Sequence, residues 1–115
     1  MNAKIYHNPR CSKSRATLEL LRERGVQPEV VEYLKTPPTR DELKSLLAKL
    51  GIGARDLIRK NEQAFRESGK ELSAPEDELI DLMVENPILI ERPIVVVGDR
   101  ARIGRPPESV LDIVE

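Results

Sequence analysis

The first third of the chain carries apolar residues in two different spacings. Residues 4–6 form a short run that favours a strand. From Ser12 to Gly25 the apolar positions follow the spacing of a helix, and glycine is the expected residue just beyond its end. Residues 29–34 are rich in β-branched side chains and are flanked by prolines, which predicts a second strand. The chain is therefore expected to open as β-α-β.

The middle of the chain has only helical patterns. Thr39 and Glu42 have the spacing of a capping box, and leucines follow at positions 43, 46, 47 and 50. Short helical pieces are expected around residues 55–59 and 61–67. Ser73 and Glu76 repeat the capping-box spacing and predict a further helix that ends at Asn86. No segment between residues 39 and 86 indicates a strand.

The β pattern returns near the end of the chain. Residues 94–97 are an uninterrupted apolar run typical of a buried strand, and residues 100–103 are expected to pair back with it through a turn at Gly98 and Asp99. Pro106 and Pro107 open a last predicted helix. The predicted fold class is α/β with a mixed sheet, as one domain over residues 1–115. A helical block, about residues 39–87, is inserted between the β-α-β and β-β-α parts.

Composition narrows the class of protein. The 115 residues include 19 basic and 20 acidic side chains, so the molecule as a whole has no charge bias toward nucleic acid or anionic membranes. Neither a transmembrane helix nor a signal peptide is expected, because the sequence has no apolar run of the length that either would need. A single cysteine rules out an internal disulfide and indicates the reducing cytoplasm. One cysteine and one histidine make a protein-bound metal unexpected.

The single cysteine, Cys11, lies where the first predicted strand meets its helix. There the unpaired N–H groups and the positive end of the helix dipole stabilise a thiolate, which is the nucleophilic form. Arg10, Lys13 and Arg15 add positive charge, and His7 could donate a hydrogen bond to the sulfur. Each effect lowers the pKa of the thiol. The alternative is a partly buried, inert cysteine that serves as a small apolar side chain.

The residues that follow Cys11 favour thiol redox chemistry over phosphatase chemistry. Cys11 and Ser14 form a C-x-x-S pattern, in which a hydroxyl replaces the second thiol of the C-x-x-C redox motif. Because the chain has no other thiol, a redox adduct on Cys11 must be resolved by an external thiol. A phosphatase-like loop would need an arginine six residues after the cysteine, and Thr17 at that position excludes this class.

Three arginines lie beside unusual stretches of backbone: Arg59 in LIRKN, Arg92 before Pro93, and Arg105 before Pro106. A planar, permanently charged guanidinium suits bidentate capture of a tetrahedral oxyanion. The alternative for each arginine is an ordinary solvated surface residue. A proline at the start of a buried strand is also unusual, and a cis peptide between Arg92 and Pro93 would explain it.

Several stretches together make this sequence resemble a known family. They run in order along almost the whole chain and read YHNPRCSKSR, YLKTPPTRDEL, LIRKN, NPILIERPIVV and IGRPPESVLDI. With the predicted order of elements, they are similar to the glutaredoxin-linked arsenate reductases, whose fold is thioredoxin-like. Ser12 and Lys13 stand where the best-known members have small residues, so the chain looks closer to a chromosomal branch of the family.

The resemblance implies a function and a set of site residues. The implied reaction is reduction of arsenate to arsenite, as in arsenic detoxification. Glutathione is the implied co-substrate and glutaredoxin the implied partner, with no bound cofactor or metal. Cys11 is the implied nucleophile, and its thiolate is stabilised by His7 and Ser14. The implied oxyanion-binding residues are Arg59, Arg92 and Arg105. Pro93 is the implied cis-proline.

Two other functions stay open at this point. The same thiol could act on protein or glutathione mixed disulfides without any oxyanion. The charged helices of the middle block could instead bind RNA polymerase or another protein, as in a redox-inert regulator of the same fold. The alternative for those charges is the solvated face of ordinary helices.

Overall fold

The computed structural model describes residues 2–114. These residues divide into two compact units. The first comprises the chain up to Thr36 together with the chain from Arg92 onward, and the second is Pro37–Glu91. The predicted helical insertion falls within the second unit. The assignment of residues 1–115 to one domain stays a prediction, and its terminal residues, Met1 and Glu115, lie outside the described part.

The first unit is built on a four-stranded mixed sheet with strand order β2-β1-β3-β4. Strand β1 pairs in parallel with β2 and antiparallel with β3, and β3 pairs antiparallel with β4. The parallel β1–β2 pair requires a crossover, which helix α1 (Ser12–Glu23) supplies. The strands are β1 (Ala3–His7), β2 (Glu29–Glu32), β3 (Ile94–Val97) and β4 (Arg100–Ile103).

The core of the first unit forms between α1 and the two central strands. Leu21 of α1, Ile5 of β1 and Val95 of β3 are fully buried in one apolar cluster. A 3-10 turn at Pro107–Val110 and the short helix at Leu111–Val114 pack into the same cluster. Burial of these side chains holds α1 against the sheet. The amino end of the same helix carries the cysteine.

The second unit consists of helices and one 3-10 turn, Pro87–Leu89. The reciprocal capping box of Thr39 and Glu42 is formed as predicted, and Gly51 ends this helix in a left-handed conformation with φ 71°. The next three helices follow after short connections. In chain order the four helices are α2 (Arg40–Leu50), α3 (Ala54–Leu57), α4 (Gln63–Ser68) and α5 (Glu76–Glu85).

The structure corrects three details of the sequence-based prediction. The second capping box is wrong, because α5 has Pro75 at its N-cap and no side-chain cap. Glu76 instead accepts a hydrogen bond from the backbone N–H of Ala54, at the start of α3. Strand β2 ends at Glu32 instead of residue 34, because the N–H of Lys35 donates to the carbonyl of Glu32 at 2.9 Å and closes a turn. The last helix begins as a 3-10 turn, Pro107–Val110, and becomes α-helical only at Leu111.

Candidate active site

Cys11 is the N-cap residue of α1, with extended backbone at φ −92° and ψ 122°. Its N–H donates to the carbonyl of Asn8 at 3.0 Å, which closes a tight turn after β1. The side-chain oxygen of Asn8 accepts from the N–H of Arg10 at 3.0 Å and stabilises the same turn. The sulfur therefore lies beside the first N–H groups of a twelve-residue helix, as the sequence predicts.

Two arginines of the first unit converge on this sulfur. Nη2 of Arg105 lies 3.4 Å from Sγ of Cys11, and the side chain of Arg92 also hydrogen-bonds the sulfur. Nε of Arg105 donates to the backbone carbonyl of Arg92 at 2.8 Å, which links the two arginine-bearing loops. Two guanidinium groups therefore face one sulfur, where a bound oxyanion would meet both charge and planar donors.

The surroundings of Cys11 favour its thiolate. Burial by itself raises the pKa of the Cys11 thiol. Hydrogen bonds from the backbone N–H groups of Ser14 and Lys13, a hydrogen bond from Arg92, and the charge of Arg105 outweigh burial and bring the pKa below its usual value. A lowered pKa raises the fraction of nucleophile at neutral pH.

His7 and Ser14 are joined to each other beneath this turn. The hydroxyl of Ser14 lies 2.6 Å from Nδ1 of His7 and accepts from the N–H of Asn8 at 3.0 Å. Burial lowers the pKa of His7, Glu32 raises it, and Arg22 and Arg15 lower it further, so the ring is neutral at pH 7. The backbone N–H of Ser14, rather than its hydroxyl, reaches the sulfur. His7 thus acts on the cysteine turn through Ser14.

Both arginine–proline pairs of the first unit have cis peptide bonds, Arg92-Pro93 and Arg105-Pro106. The sequence predicted a cis bond at the first of these pairs but not at the second. Gly104 donates its N–H to the carbonyl of Pro93 at 2.9 Å. A Cβ at Gly104 would lie 2.8 Å from Cγ of Pro93 and would also overlap Thr17 of α1. Glycine is therefore required where these three segments meet, directly before Arg105.

Arg59 belongs to the second unit and has a different environment. Its Nε lies 3.2 Å from Glu62 and its Nη1 lies 2.9 Å from Glu91. All three side chains are between 25% and 29% exposed. Arg59 and Glu91 border an open cavity of about 460 Å³ that is also lined by Arg55 and Lys60. The structure thus gives Arg59 two carboxylate partners that the sequence-based prediction did not include.

No group of three or more histidine, cysteine, aspartate or glutamate side chains within residues 2–114 could hold a metal ion. None of the helices described is long and apolar enough to cross a membrane.

Comparison with known proteins decides the family. The sequence profile of the ArsC family matches residues 6–113. The chain belongs to the ArsC family. This assignment agrees with the resemblance seen in the sequence, and the predicted α/β, thioredoxin-like fold is confirmed by the solved ArsC structures that match it.

Relatives of this ArsC protein match it over almost its full length. An arsenate reductase from Escherichia coli K12 is 51% identical over 97% of this chain and 80% of its own length. A protein from the same strain, named uncharacterized protein YfgD, is 58% identical over 96% of this chain and 95% of its own length. The solved structure of the arsenate reductase from Vibrio cholerae is 48% identical, covers 98% of each chain, and superposes with a TM-score of 0.93.

Two further residues near Cys11, Asn8 and Gly104, were not predicted from the sequence. Asn8 donates its N–H to the Ser14 hydroxyl, and its two oxygens accept from the N–H groups of Cys11 and Arg10. In the sequence, its position before Pro9 indicated a turn but not these hydrogen bonds. Gly104 separates the strand β4 from Arg105, and only the packing of Thr17 and Pro93 shows why it is glycine.

Proposed function

We propose that this ArsC-family protein reduces arsenate to arsenite, with Cys11 as the nucleophile. The observation that carries the proposal is the convergence of Arg92 and Arg105 on a sulfur whose pKa is lowered. Full-length relatives named arsenate reductases support the choice of oxyanion. Arsenate is a tetrahedral anion, so its oxygens suit the planar donors of guanidinium groups.

The proposed reaction balances with two thiols. The Cys11 thiolate attacks arsenic, and one arsenate hydroxyl takes a proton from the solvent and leaves as water, which gives a covalent thiol–arsenate adduct. Glutathione then adds the second thiol. The two sulfurs end as a mixed disulfide on Cys11, and their two electrons convert As(V) to As(III), which leaves as arsenite. Glutaredoxin removes the glutathione by thiol–disulfide exchange and returns Cys11 to its reduced form.

Each proposed site residue has a definite task. Arg92, Arg105 and Arg59 bind the oxyanion and stabilise the charge that develops on its oxygens during attack. Ser14 and His7 hold the turn that aims N–H groups at the thiolate, and the cis-proline Pro93 shapes the loop that carries Arg92. A reaction that depends on glutathione and glutaredoxin belongs in the reducing cytoplasm.

The test is arsenate-dependent oxidation of NADPH in the presence of glutathione, glutaredoxin and glutathione reductase. We expect oxidation that requires arsenate, glutaredoxin and the protein together. Cys11→Ser should reduce turnover at least about a thousandfold, because a hydroxyl is hardly ionised at neutral pH. Unchanged circular dichroism of the variant shows that its fold is intact.

Two outcomes would overturn the proposal. One is full activity of Cys11→Ser, which would remove the nucleophile. The other is no arsenate-dependent oxidation by a wild-type protein whose Cys11 still reacts rapidly with iodoacetamide at pH 7. That result would leave a reactive thiol with a different oxidised substrate.

A further inference from the structure

We propose that a small cavity beside the cysteine turn binds glutathione, the thiol co-substrate of the proposed function on which this inference rests. The cavity measures about 200 Å³ and lies within the first unit. It is distinct from the sulfur–guanidinium cluster that faces the oxyanion. The residues that line it and carry the argument are Asn8, Pro9, Arg10, Glu32, Leu34 and Lys35.

The location of the cavity suits a thiol that must meet Cys11. Residues 7–10 line it, and Cys11 follows Arg10 directly in the chain. The hydrogen bond from Cys11 N–H to Asn8 holds this stretch as a compact turn. An extended tripeptide spans roughly 10 Å, so a molecule bound here can present its central thiol to the neighbouring cysteine.

The charges around the cavity match those of glutathione. At neutral pH the tripeptide has two carboxylates and one ammonium group. The cavity has two cations, Arg10 and Lys35, and one carboxylate, Glu32. Within residues 2–114 no carboxylate pairs with the Arg10 side chain. Lys35 lies 3.5 Å from Glu32, but its side chain is 79% exposed, so a ligand carboxylate can recruit it at little cost.

The cavity also has an apolar part. Pro9 and Leu34 line it, and Leu34 is 40% exposed although it is a large hydrophobic residue. These apolar side chains suit the methylene groups of the γ-glutamyl and cysteinyl parts. The volume is below the roughly 300–1,000 Å³ of cavities that enclose whole drug-sized ligands. Glutathione would therefore stay partly exposed, as a co-substrate that glutaredoxin must reach.

The experiment uses oxidised glutathione as the probe and needs no arsenate. The Cys11 thiolate attacks one sulfur of the disulfide, a mixed disulfide forms on Cys11, and the other half leaves as glutathione thiolate. The second-order rate constant is measured by mass spectrometry. It is divided by the rate constant for 2-hydroxyethyl disulfide, a neutral reagent that reports the reactivity of the thiol itself. The ratio isolates recognition of the tripeptide.

We expect Arg10→Gln and Lys35→Gln each to lower this ratio about threefold, and the double variant about tenfold. Arg100→Gln is the matched control, because Arg100 is an exposed cation on β4 that does not line the cavity. It should leave the ratio within about a factor of 1.5 of wild type.

Glu32→Gln separates a specific site from general attraction between the protein and an anion. Removal of a negative charge should speed the reaction of an anionic disulfide if only general attraction acts. If Glu32 pairs with the ammonium group, the same change should lower the ratio about two- to threefold. An increased ratio in Glu32→Gln would overturn the proposal. Equal effects of the cavity variants and Arg100→Gln, or no reaction with oxidised glutathione, would also overturn it.

The result is separable from the test of arsenate reduction. Arsenate turnover with an unchanged ratio in the cavity variants would remove only the glutathione site. A lowered ratio without arsenate turnover would remove only the arsenate assignment and would support a cysteine that reacts with glutathione disulfides.

Discussion

The two compact units of this protein give their arginines opposite electrostatic settings. In the first unit, Arg92 and Arg105 hydrogen-bond the sulfur of Cys11 and help lower the pKa of its thiol. In the second unit, Arg59 is paired with two carboxylates, Glu62 and Glu91. The same residue type therefore stabilises a thiolate in one unit and is paired with carboxylates in the other. An oxyanion that binds Arg59 must compete with those carboxylates.

The largest expected effect comes from removing the arginines themselves. Arg92→Gln, Arg105→Gln and Arg59→Gln should each lower kcat/KM for arsenate by about a hundredfold or more, because each removes a proposed donor to the oxyanion in the transition state. Steady-state kinetics with the coupled NADPH assay measures this. Unchanged kinetics in all three variants would contradict the oxyanion site.

The comparison between the units is sharpened by a second measurement on the same variants. Arg92→Gln and Arg105→Gln should raise the pKa of Cys11 and move the pH profile of iodoacetamide alkylation upward, since both groups stabilise the thiolate. Arg59→Gln is the control, and its profile should match that of wild type. A shift in Arg59→Gln as large as in Arg105→Gln would erase the proposed difference between the units.

A change at Gly104 tests how the first unit positions Arg105. Gly104→Ala would place its Cβ 2.8 Å from Pro93 and against Thr17. We expect a loss of about 1–3 kcal/mol in the free energy of unfolding, measured with urea. The pH profile of Cys11 alkylation should also shift upward, because the backbone before Arg105 must move.

Gly98→Ala is the control for this prediction. Gly98 has φ 61° with nothing within 4 Å of an added Cβ. It should lose about 1–2 kcal/mol from its left-handed conformation alone and leave the alkylation profile unchanged. Equal shifts in the two profiles would show that the contacts of Gly104 do not position Arg105.

A smaller effect is expected from the counter-ions of Arg59. Glu91→Gln keeps a hydrogen-bond acceptor 2.9 Å from the guanidinium but removes its negative charge. Arsenate then competes with a weaker partner, so KM for arsenate should fall about two- to fivefold. Glu85→Gln, an exposed position of α5 with the same charge change, is the control. A KM that rises in Glu91→Gln would mean that the carboxylate helps rather than opposes binding.

The smallest expected effect concerns pH and stability in the first unit. The folded-state pKa of His7 is lowered, chiefly by burial. The neutral ring therefore contributes stability above the unfolded-state pKa of about 6.5. This contribution is lost as the pH falls through that value toward the folded-state pKa. Urea unfolding at pH 7.5 and 5.5 should show a smaller pH-dependent loss in His7→Gln than in wild type.

His7 is the only histidine in the chain, so no other histidine contributes to the difference in pH-dependent stability between wild type and His7→Gln. The glutamine can still accept a hydrogen bond from Ser14, which limits other changes. Equal losses of stability in the two proteins would contradict the lowered pKa.

Local sequence patterns were sufficient for most of the fold. The β-branched run at residues 94–97, the Thr39–Glu42 capping box and the stop at Gly25 are short-range signals, and the structure confirms each of them. The Ser73 prediction failed because Glu76 has a competing long-range partner in Ala54, which a local pattern cannot reveal.

The sequence by itself determined where the proposed nucleophile lies in the fold. A lone cysteine between a strand and a helix must lie beside unpaired N–H groups, whatever the rest of the chain does. The tertiary structure alone decided which side chains reach it. Arg105 is 94 residues away from Cys11 and Arg92 lies on another loop, yet both contact the sulfur. Such contacts depend on the pairing of β3 with β1 and β4 and on the close packing at Gly104, which no local spacing encodes.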